Sequence, residues 1–323
     1  MSHTISVGVL RGGPSSEYNI SLITGASVLE HLPEKYKKHD IFIDKKGVWH
    51  REGMPRTPHK ALHGIDVVIN AMHGEFGEDG KVQQILDGLN IPYTGSKALA
   101  SAIGMNKMLS KKTFLEAGIM TPDSVFLELS DDIKADVEEV FKSIEMPVVV
   151  KPNSAGSSVG ISIARDFDQL LAGLTLASQT SKQILVEKYI QGREVTCGVV
   201  EGFRGQDFYT LLPIEIVPRQ DQEFFDYESK YSDKKGARED CPANLDKKTT
   251  EKIQEMSVLA HKALGMRHYS RSDFIVAQDG IYILEINSLP GLTPQSLLPK
   301  SLVAVGSSLA QFLEHLVGLA KRV

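Results

Sequence analysis

RSDFIVA (271–277) and IYILEIN (281–287) decide the reading of this chain. Both are short apolar runs of the kind that form buried strands. Yet each carries two polar side chains two residues apart, Arg271 and Asp273 on the first, Glu285 and Asn287 on the second. A spacing of two puts each pair on one face of its strand. The intervening Gln278-Asp279-Gly280 is hairpin-turn chemistry. A two-residue loop would oppose 273 with 286 and send the acids to opposite faces. A three-residue loop with Gly280 in the left-handed region opposes Asp273 with Glu285 and Arg271 with Asn287, and this form is predicted. Two carboxylates facing each other across a strand pair repel unless a cation lies between them. Two acids and an amide offer oxygen ligands, which suit a hard ion, magnesium or manganese, that also holds phosphates. The competing reading is a salt bridge of Arg271 with one acid, with Asn287 merely opening a turn.

Upstream, VVVKPNSAGSSVG (148–160) ends an apolar strand in Lys151 and runs on into Gly156, Ser157, Ser158 and Gly160. A cation followed by free backbone N–H groups suits an anion. The order is not that of a Walker loop, and alone such a stretch also fits a plain turn. Beside a metal hairpin it reads as a cover for phosphates. ILVEKYIQGRE (184–194) ends a strand in Glu187, with Lys188, Ile190 and Glu194 close behind. A strand edge with a nearby acid suits an adenine edge and a ribose hydroxyl pair; surface charge is the plainer alternative.

The first hundred residues alternate strands at 7–10, 40–43 and 66–71 with helices at 17–32 and 81–89. That rhythm predicts a parallel sheet with helices on both faces. Such sheets take ligands at the carboxyl ends of their strands, which makes Gly12-Gly13 and residues 73–80 the ligand-facing loops. Helical spacing returns at 99–117. Between 123 and 200, helices at 131–144 and 167–177 alternate with strands at 148–151, 161–164, 184–188 and 194–200, an inserted α+β module with a small mixed sheet. Residues 218–242 are polar, charged and proline-bounded, the pattern of a lid. A helix at 247–264, the hairpin and a closing helix at 307–321 complete the chain.

At 323 residues the chain has room for about two domains or three small ones. A net charge of −5 argues against nucleic-acid binding by phosphate neutralisation. Cys197 and Cys241 are too few for a disulfide framework or a four-thiolate zinc site. No apolar stretch of 18 residues exists to span a membrane, and MSHTISVGVLRGG (1–13) lacks the cationic start and apolar run of a signal peptide. The expectation is a cytoplasmic protein acting on small molecules, with no nucleic-acid or membrane partner.

MNKMLSKK (105–112), VVVKPNSAGSSVG, LVEKYIQGRE (185–194), DYESKYSD (226–233), RSDF (271–274) and LEINSLPGLTPQSLLP (284–299), in this order and spacing, resemble the motifs of ATP-grasp ligases. GGPSSEYNIS (12–21) and MHGEFGEDG (72–80) narrow the resemblance to the D-alanine–D-alanine ligase family, from about residue 7 to the final helix. It implies an N-terminal parallel-sheet (preATP-grasp) α/β domain over 1–100, binding the first substrate, followed by a two-lobed α+β ATP-grasp fold. The central lobe, 101–190, carries the phosphate-covering loop; the C-terminal lobe, 191–323, carries the metal hairpin and the lid.

The same resemblance implies roles for individual residues. Lys107 and Lys151 contact ATP phosphates, with Ser157 and Ser158 closing over them and Lys230 reaching the terminal phosphate. Glu187, Lys188, Ile190 and Glu194 hold adenine and ribose. Asp273, Glu285 and Asn287 ligate two magnesium ions, for which manganese substitutes. Glu17 binds the ammonium of the first D-alanine, His73 sits near it, and Arg271 polarises its acyl oxygen. Ser296 and the backbone of Leu297 take the carboxylate of the second. Tyr231, Ser157 and Glu17 form a hydrogen-bonded set joining lid to substrates, and the Gly291 N–H assists Arg271 at the tetrahedral oxyanion. The implied product is D-alanyl-D-alanine for peptidoglycan, formed through a D-alanyl phosphate with release of ADP and phosphate by a homodimer. Alternatives are a ligase taking D-lactate or D-serine second, and a nucleotide-binding relative without turnover. Asn19, Asn153-Ser154-Ala155 and Ser272 depart from the family's usual residues.

Overall fold

The computed structural model describes residues 4–154, 160–218 and 237–322. Strands β1 (Ser6–Gly12), β2 (Lys37–Ile43), β3 (Trp49–Arg51), β4 (Met54–Arg56) and β5 (Val67–Asn70) form a sheet in the order β4-β3-β2-β1-β5. Strands β2, β1 and β5 are parallel, as the alternation of strand and helix required. The edge differs from expectation: β3 and β4 continue the sheet antiparallel, as a short meander after β2. Helices α1 (Tyr18–His31), α2 (Pro58–Ala61) and α3 (Lys81–Gly88) accompany this sheet.

One face of the sheet buries Leu10, Ile41 and Val68 against Val82 and Leu86 of α3. The other buries Val7, Val9, Val67 and Ile69 against Val28 of α1 and also Phe312, Leu313 and Leu316 from the far end of the chain. Gly12 and Gly13, at the end of β1, both have positive φ (+90° and +102°), and a Cβ on Gly12 would overlap the Ile43 carbonyl oxygen. These glycines let the chain leave the sheet at the point where α1 must begin.

Helices α4 (Ala98–Met105) and α5 (Lys107–Glu116) lead on to a second sheet, β6 (Ser124–Glu128), β7 (Val148–Pro152), β8 (Ser162–Ala164) and β9 (Gln183–Lys188), in the order β6-β9-β7-β8. Helices α6 (Ile133–Ser143) and α7 (Phe167–Ser178) cover it, and Val137, Val140, Leu170 and Leu174 pack on Val148, Val150, Ile184 and Val186. This sheet is antiparallel throughout rather than mixed, and β10 (Arg193–Glu201) does not belong to it. Strand β10 is central to the third sheet, with β11 (Phe208–Thr210), β12 (Ile214–Val217), β13 (Arg238–Asp240), β14 (Tyr269–Val276) and β15 (Ile281–Asn287), in the order β13-β12-β10-β14-β15 with β11 also on β10. Within the 218–242 stretch, 219–236 lie outside the described residues. Its far end forms β13 on β12, a pairing that no periodicity in this polar stretch predicts.

Helix α8 (Lys247–Ala263) covers the third sheet together with Phe114 of α5. Helices α9 (Leu297–Ala304) and α10 (Leu309–Ala320) close the chain against the first sheet. No single helix among the described residues is long and apolar enough to cross a membrane.

Candidate active site

The hairpin reaches the predicted register by a different route. Arg271 pairs with Asn287 and Asp273 with Glu285, while Phe274 pairs with Ile283 and Val276 with Ile281. The Ala277 N–H donates to the Gly280 carbonyl at 2.9 Å, so the tip is the two residues Gln278 and Asp279, and Gly280 is not left-handed. Continued unbroken, that register would oppose 273 with 284. A bulge takes up Leu284, shifts the register between Asp273 and Phe274, and returns both acids to one face.

Asp273 is buried and tightly held. The Arg271 guanidinium donates to it from Nε (2.9 Å) and Nη2 (2.8 Å), Asn287 from Nδ2 (3.0 Å), and Thr196 from Oγ1 (2.6 Å). Thr196 lies directly across from Asp273 on β10. The salt bridge considered as a competing reading therefore exists, as a two-pronged fork on one acid. Glu285, opposite, has Lys107 Nζ at 3.9 Å. Two carboxylates, one amide and one guanidinium thus share a face, and the oxygen donors fit a hard divalent cation by type and by their convergence.

A second group converges from the first sheet. Glu17 stands immediately before α1, while His73 and Glu78 come from the loop after β5, and all three are buried or nearly so. One ligand atom from each lies within 4.8 Å of the others. Thr24 Oγ1 lies 2.9 Å from His73 Nε2, and the Gly74 N–H donates to Glu78 Oε2 at 2.8 Å. Burial, aided by the Arg271 charge, pushes the His73 imidazole down to about 4, so it is neutral. Burial and the neighbouring Glu17 push the Glu78 carboxyl well above the usual range. The charges of Arg271 and Glu285 are felt here, so the hairpin face and this acidic pocket adjoin.

The third group lies under the second sheet. Lys151, at the end of β7, pairs with Glu187 of β9, and Lys111 Nζ takes the other carboxylate oxygen at 2.7 Å while donating to Thr121 Oγ1 at 2.8 Å. All three charged side chains are buried. Burial works to raise the Glu187 carboxyl, and the two lysines overcome it and hold it below its ordinary value. Asn153 ties this strand to α5: its carbonyl accepts the Lys107 N–H at 3.1 Å and its Oδ1 the Met108 N–H at 2.9 Å. Lys188 is exposed, and Ile190 and Glu194 are half-buried along the passage from β9 into β10, which joins the second sheet to the third.

The 288–296 loop is fastened to α1 by the Ser27 hydroxyl, which donates to the Leu292 carbonyl at 2.8 Å. A Cβ on Gly291 would sit 2.7 Å from Ser296 Oγ, so any larger residue there would displace the Ser296 hydroxyl. Ser296 Oγ lies 2.8 Å from Thr293 Oγ1, and Leu297 begins α9. Ser157, Ser158, Lys230 and Tyr231 lie outside the described residues.

A family model described as D-ala D-ala ligase C-terminus matches residues 113–318, and one described as D-ala D-ala ligase N-terminus matches 6–60 and 51–96. The chain belongs to the D-alanine–D-alanine ligase family. It is 40% identical to a D-alanine–D-alanine ligase of Syntrophobacter fumaroxidans over 98% of its own length and 97% of that protein's. A D-alanine–D-alanine ligase of Bacillus anthracis is 39% identical over the same shares of the two chains. Among solved structures, the VanG D-Ala:D-Ser ligase of Enterococcus faecalis superposes with a TM-score of 0.86 at 30% identity, covering 98% of this chain and all of that one. The D-alanine–D-alanine ligase of Coxiella burnetii does so at 0.84 and 26%, covering 99% and 95%.

Sequence reasoning passed over Glu78, Thr196 and Lys111. Glu78 sits in the quoted MHGEFGEDG among three acids, and nothing in the string says which of them folds inward. Lys111 did leave a signal, standing one helical turn after Lys107 in the buried stripe that continues to Phe114.

Proposed function

We infer that this chain joins two D-alanines at the expense of ATP, forming D-alanyl-D-alanine, ADP and phosphate for peptidoglycan precursors. The observation that carries this reading is the convergence of the Asp273–Glu285 face with the buried Glu17–His73–Glu78 pocket on either side of Arg271. One side offers oxygen ligands for a metal-bound polyphosphate, the other carboxylates for an ammonium group.

In this reading Lys107, Lys151, Glu187, Lys188, Ile190 and Glu194 hold the nucleotide, joined by Ser157, Ser158 and Lys230. Asp273, Glu285 and Asn287 would hold two magnesium ions, which when bound neutralise phosphate charge and make the γ-phosphorus more electrophilic. Glu17, with Glu78, receives the ammonium of the first D-alanine, and neutral His73 packs beside it without repelling that charge. Arg271, oriented by Asp273, stabilises negative charge on the acyl oxygen, and the Gly291 N–H donates to the same oxygen. Ser296 and the Leu297 N–H, at the start of α9, bind the carboxylate of the second D-alanine where the helix dipole favours an anion. Tyr231 and Ser157 link the 218–242 segment to Glu17 and exclude water from the acyl phosphate. The three-part division at 100 and 190, a homodimer and a cytoplasmic location belong to the same reading.

The test is phosphate release from Mg-ATP with D-alanine, alongside D-serine, D-lactate and L-alanine, with product masses read directly. D-alanine-dependent release and a dipeptide mass are expected. A mixed product with D-serine or D-lactate would reassign the second substrate. Nucleotide binding without release under any substrate would overturn the reading.

A further inference from the structure

We propose that Lys111 is a positioning residue for the phosphates of the nucleotide, acting through Glu187 to keep the charge of Lys151 uncancelled. The inference rests on the reading of Lys151 as a phosphate contact. Lysine is rarely buried without a partner, yet Lys111 lies in the buried stripe of α5, with Lys107 four residues before it and Phe114 three after. It is almost sealed from solvent, and it donates to Thr121 and to one oxygen of Glu187. The other oxygen of Glu187 takes Lys151.

The cluster therefore holds two cations and one carboxylate, a net charge of +1 in a place with little water to screen it. Burial pulls the Lys111 ammonium below its ordinary value, while the Glu187 charge works to keep it protonated. If Lys111 were absent, Glu187 and Lys151 would form a closed neutral pair, and Lys151 would have to break its ion pair to serve a phosphate. With Lys111 in place, Glu187 keeps a cationic partner when Lys151 turns to the nucleotide. Thr121 Oγ1 fixes the geometry by accepting a second hydrogen bond from the Lys111 ammonium. The nearby Asp123 is exposed to solvent, so it weighs little against this cluster.

The test compares Lys111→Gln, Lys111→Arg and Lys151→Gln in the full-length chain, using ADP and adenosine as probes by calorimetry at two salt concentrations. Gln removes the charge and keeps an N–H donor, on a side chain one atom shorter. A unit charge lost within about 12 Å of a phosphate, at an effective dielectric near 20, is expected to weaken ADP about tenfold or more. Adenosine, which carries no phosphate, is expected to change less than about twofold, Lys111→Arg to stay near wild type, and the salt dependence of ADP binding to flatten. Equal weakening of ADP and adenosine by Lys111→Gln would overturn the proposal, since a distorted site would do that. So would an unchanged ADP affinity in Lys111→Gln beside a weakened one in Lys151→Gln. If Lys151→Gln itself leaves ADP unchanged, the phosphate role of Lys151 falls, and this inference with it.

Discussion

Thr196 is among the donors that hold Asp273, and Thr196→Val removes its hydroxyl while keeping the side chain's shape. The hydroxyl lies 2.6 Å from Asp273 Oδ1 and 3.2 Å from the Ser272 carbonyl, and its single proton goes to the nearer, charged acceptor. A hydrogen bond to a charged group contributes about 1.5–3 kcal/mol. Here Oδ1 keeps the Arg271 Nε donor at 2.9 Å, so it is not orphaned and the low end applies. The expected loss of folding stability is about 1.5 kcal/mol by urea denaturation. If Asp273 ligates magnesium, as proposed above, the larger effect falls on the ion. Without this cross-strand tether to β10, Asp273 still has Arg271 and Asn287, both from its own hairpin. Partners that orient a metal ligand typically matter by 10–100-fold in affinity. With the hairpin donors remaining, the half-saturating magnesium concentration in a phosphate-release assay is expected to rise about tenfold. Thr196→Ser, which keeps the hydroxyl, is expected to stay within about threefold of wild type by the same reasoning. A folded Thr196→Val with wild-type magnesium dependence would refute the reasoning, as would a Thr196→Ser that behaves like valine.

Three further outcomes are expected. The His73 and His268 imidazoles are held at about 4 and about 3, chiefly by burial, both below the usual 6.5. The unfolded chain thus binds more protons between those values, and stability present above pH 6.5 is lost on acidification, by about 2 kcal/mol per histidine at pH 5. Glu78, whose raised carboxyl loses stability in the opposite sense as pH climbs past 4.5, is best replaced by Gln for this measurement; equal stability of Glu78→Gln at pH 7 and pH 5 would contradict the assignment. Gly12→Ala places a Cβ against the Ile43 carbonyl at φ +90°, and the expected cost is about 3 kcal/mol or more, read as a fall in Tm or loss of soluble protein. Ser27→Ala removes the buried bond to the Leu292 carbonyl, and about 1 kcal/mol of stability is expected to go with it. Because that bond fastens the 288–296 loop, the KM for one of the two D-alanines is expected to rise while the KM for ATP stays unchanged.

Local pattern carried a large part of the molecule. The period of two in RSDFIVA and IYILEIN was enough to put Arg271 with Asp273, and Glu285 with Asn287, each pair on one face of its own strand, because side-chain direction along a strand is a local property. The strand–helix rhythm of the first hundred residues likewise specified parallel pairing of β1 with β2 and β5, and Gly12-Gly13 marked where β1 must end. Motif order brought the family and its reaction within reach of the string alone. What composition and spacing could not supply was everything that depends on which distant surfaces bury each other. The bulge at Leu284, and not the loop length, sets the acids opposite one another, since a register is decided by packing of the whole strand pair. Strand β10 leaves the second sheet for the third because its partner is β14, more than seventy residues on. The closing helix returns across the whole chain to bury Phe312 and Leu316 on the first sheet, and this brings the 288–296 loop to α1. Likewise, only burial distinguishes Lys111 from the exposed Lys112 beside it, and only the neighbours that the fold supplies distinguish Glu78, set against Glu17 and His73, from the exposed Glu75 and from Asp79, which pairs with Lys81. A charge acquires a role when the fold removes its water, and that removal is a property of the tertiary structure.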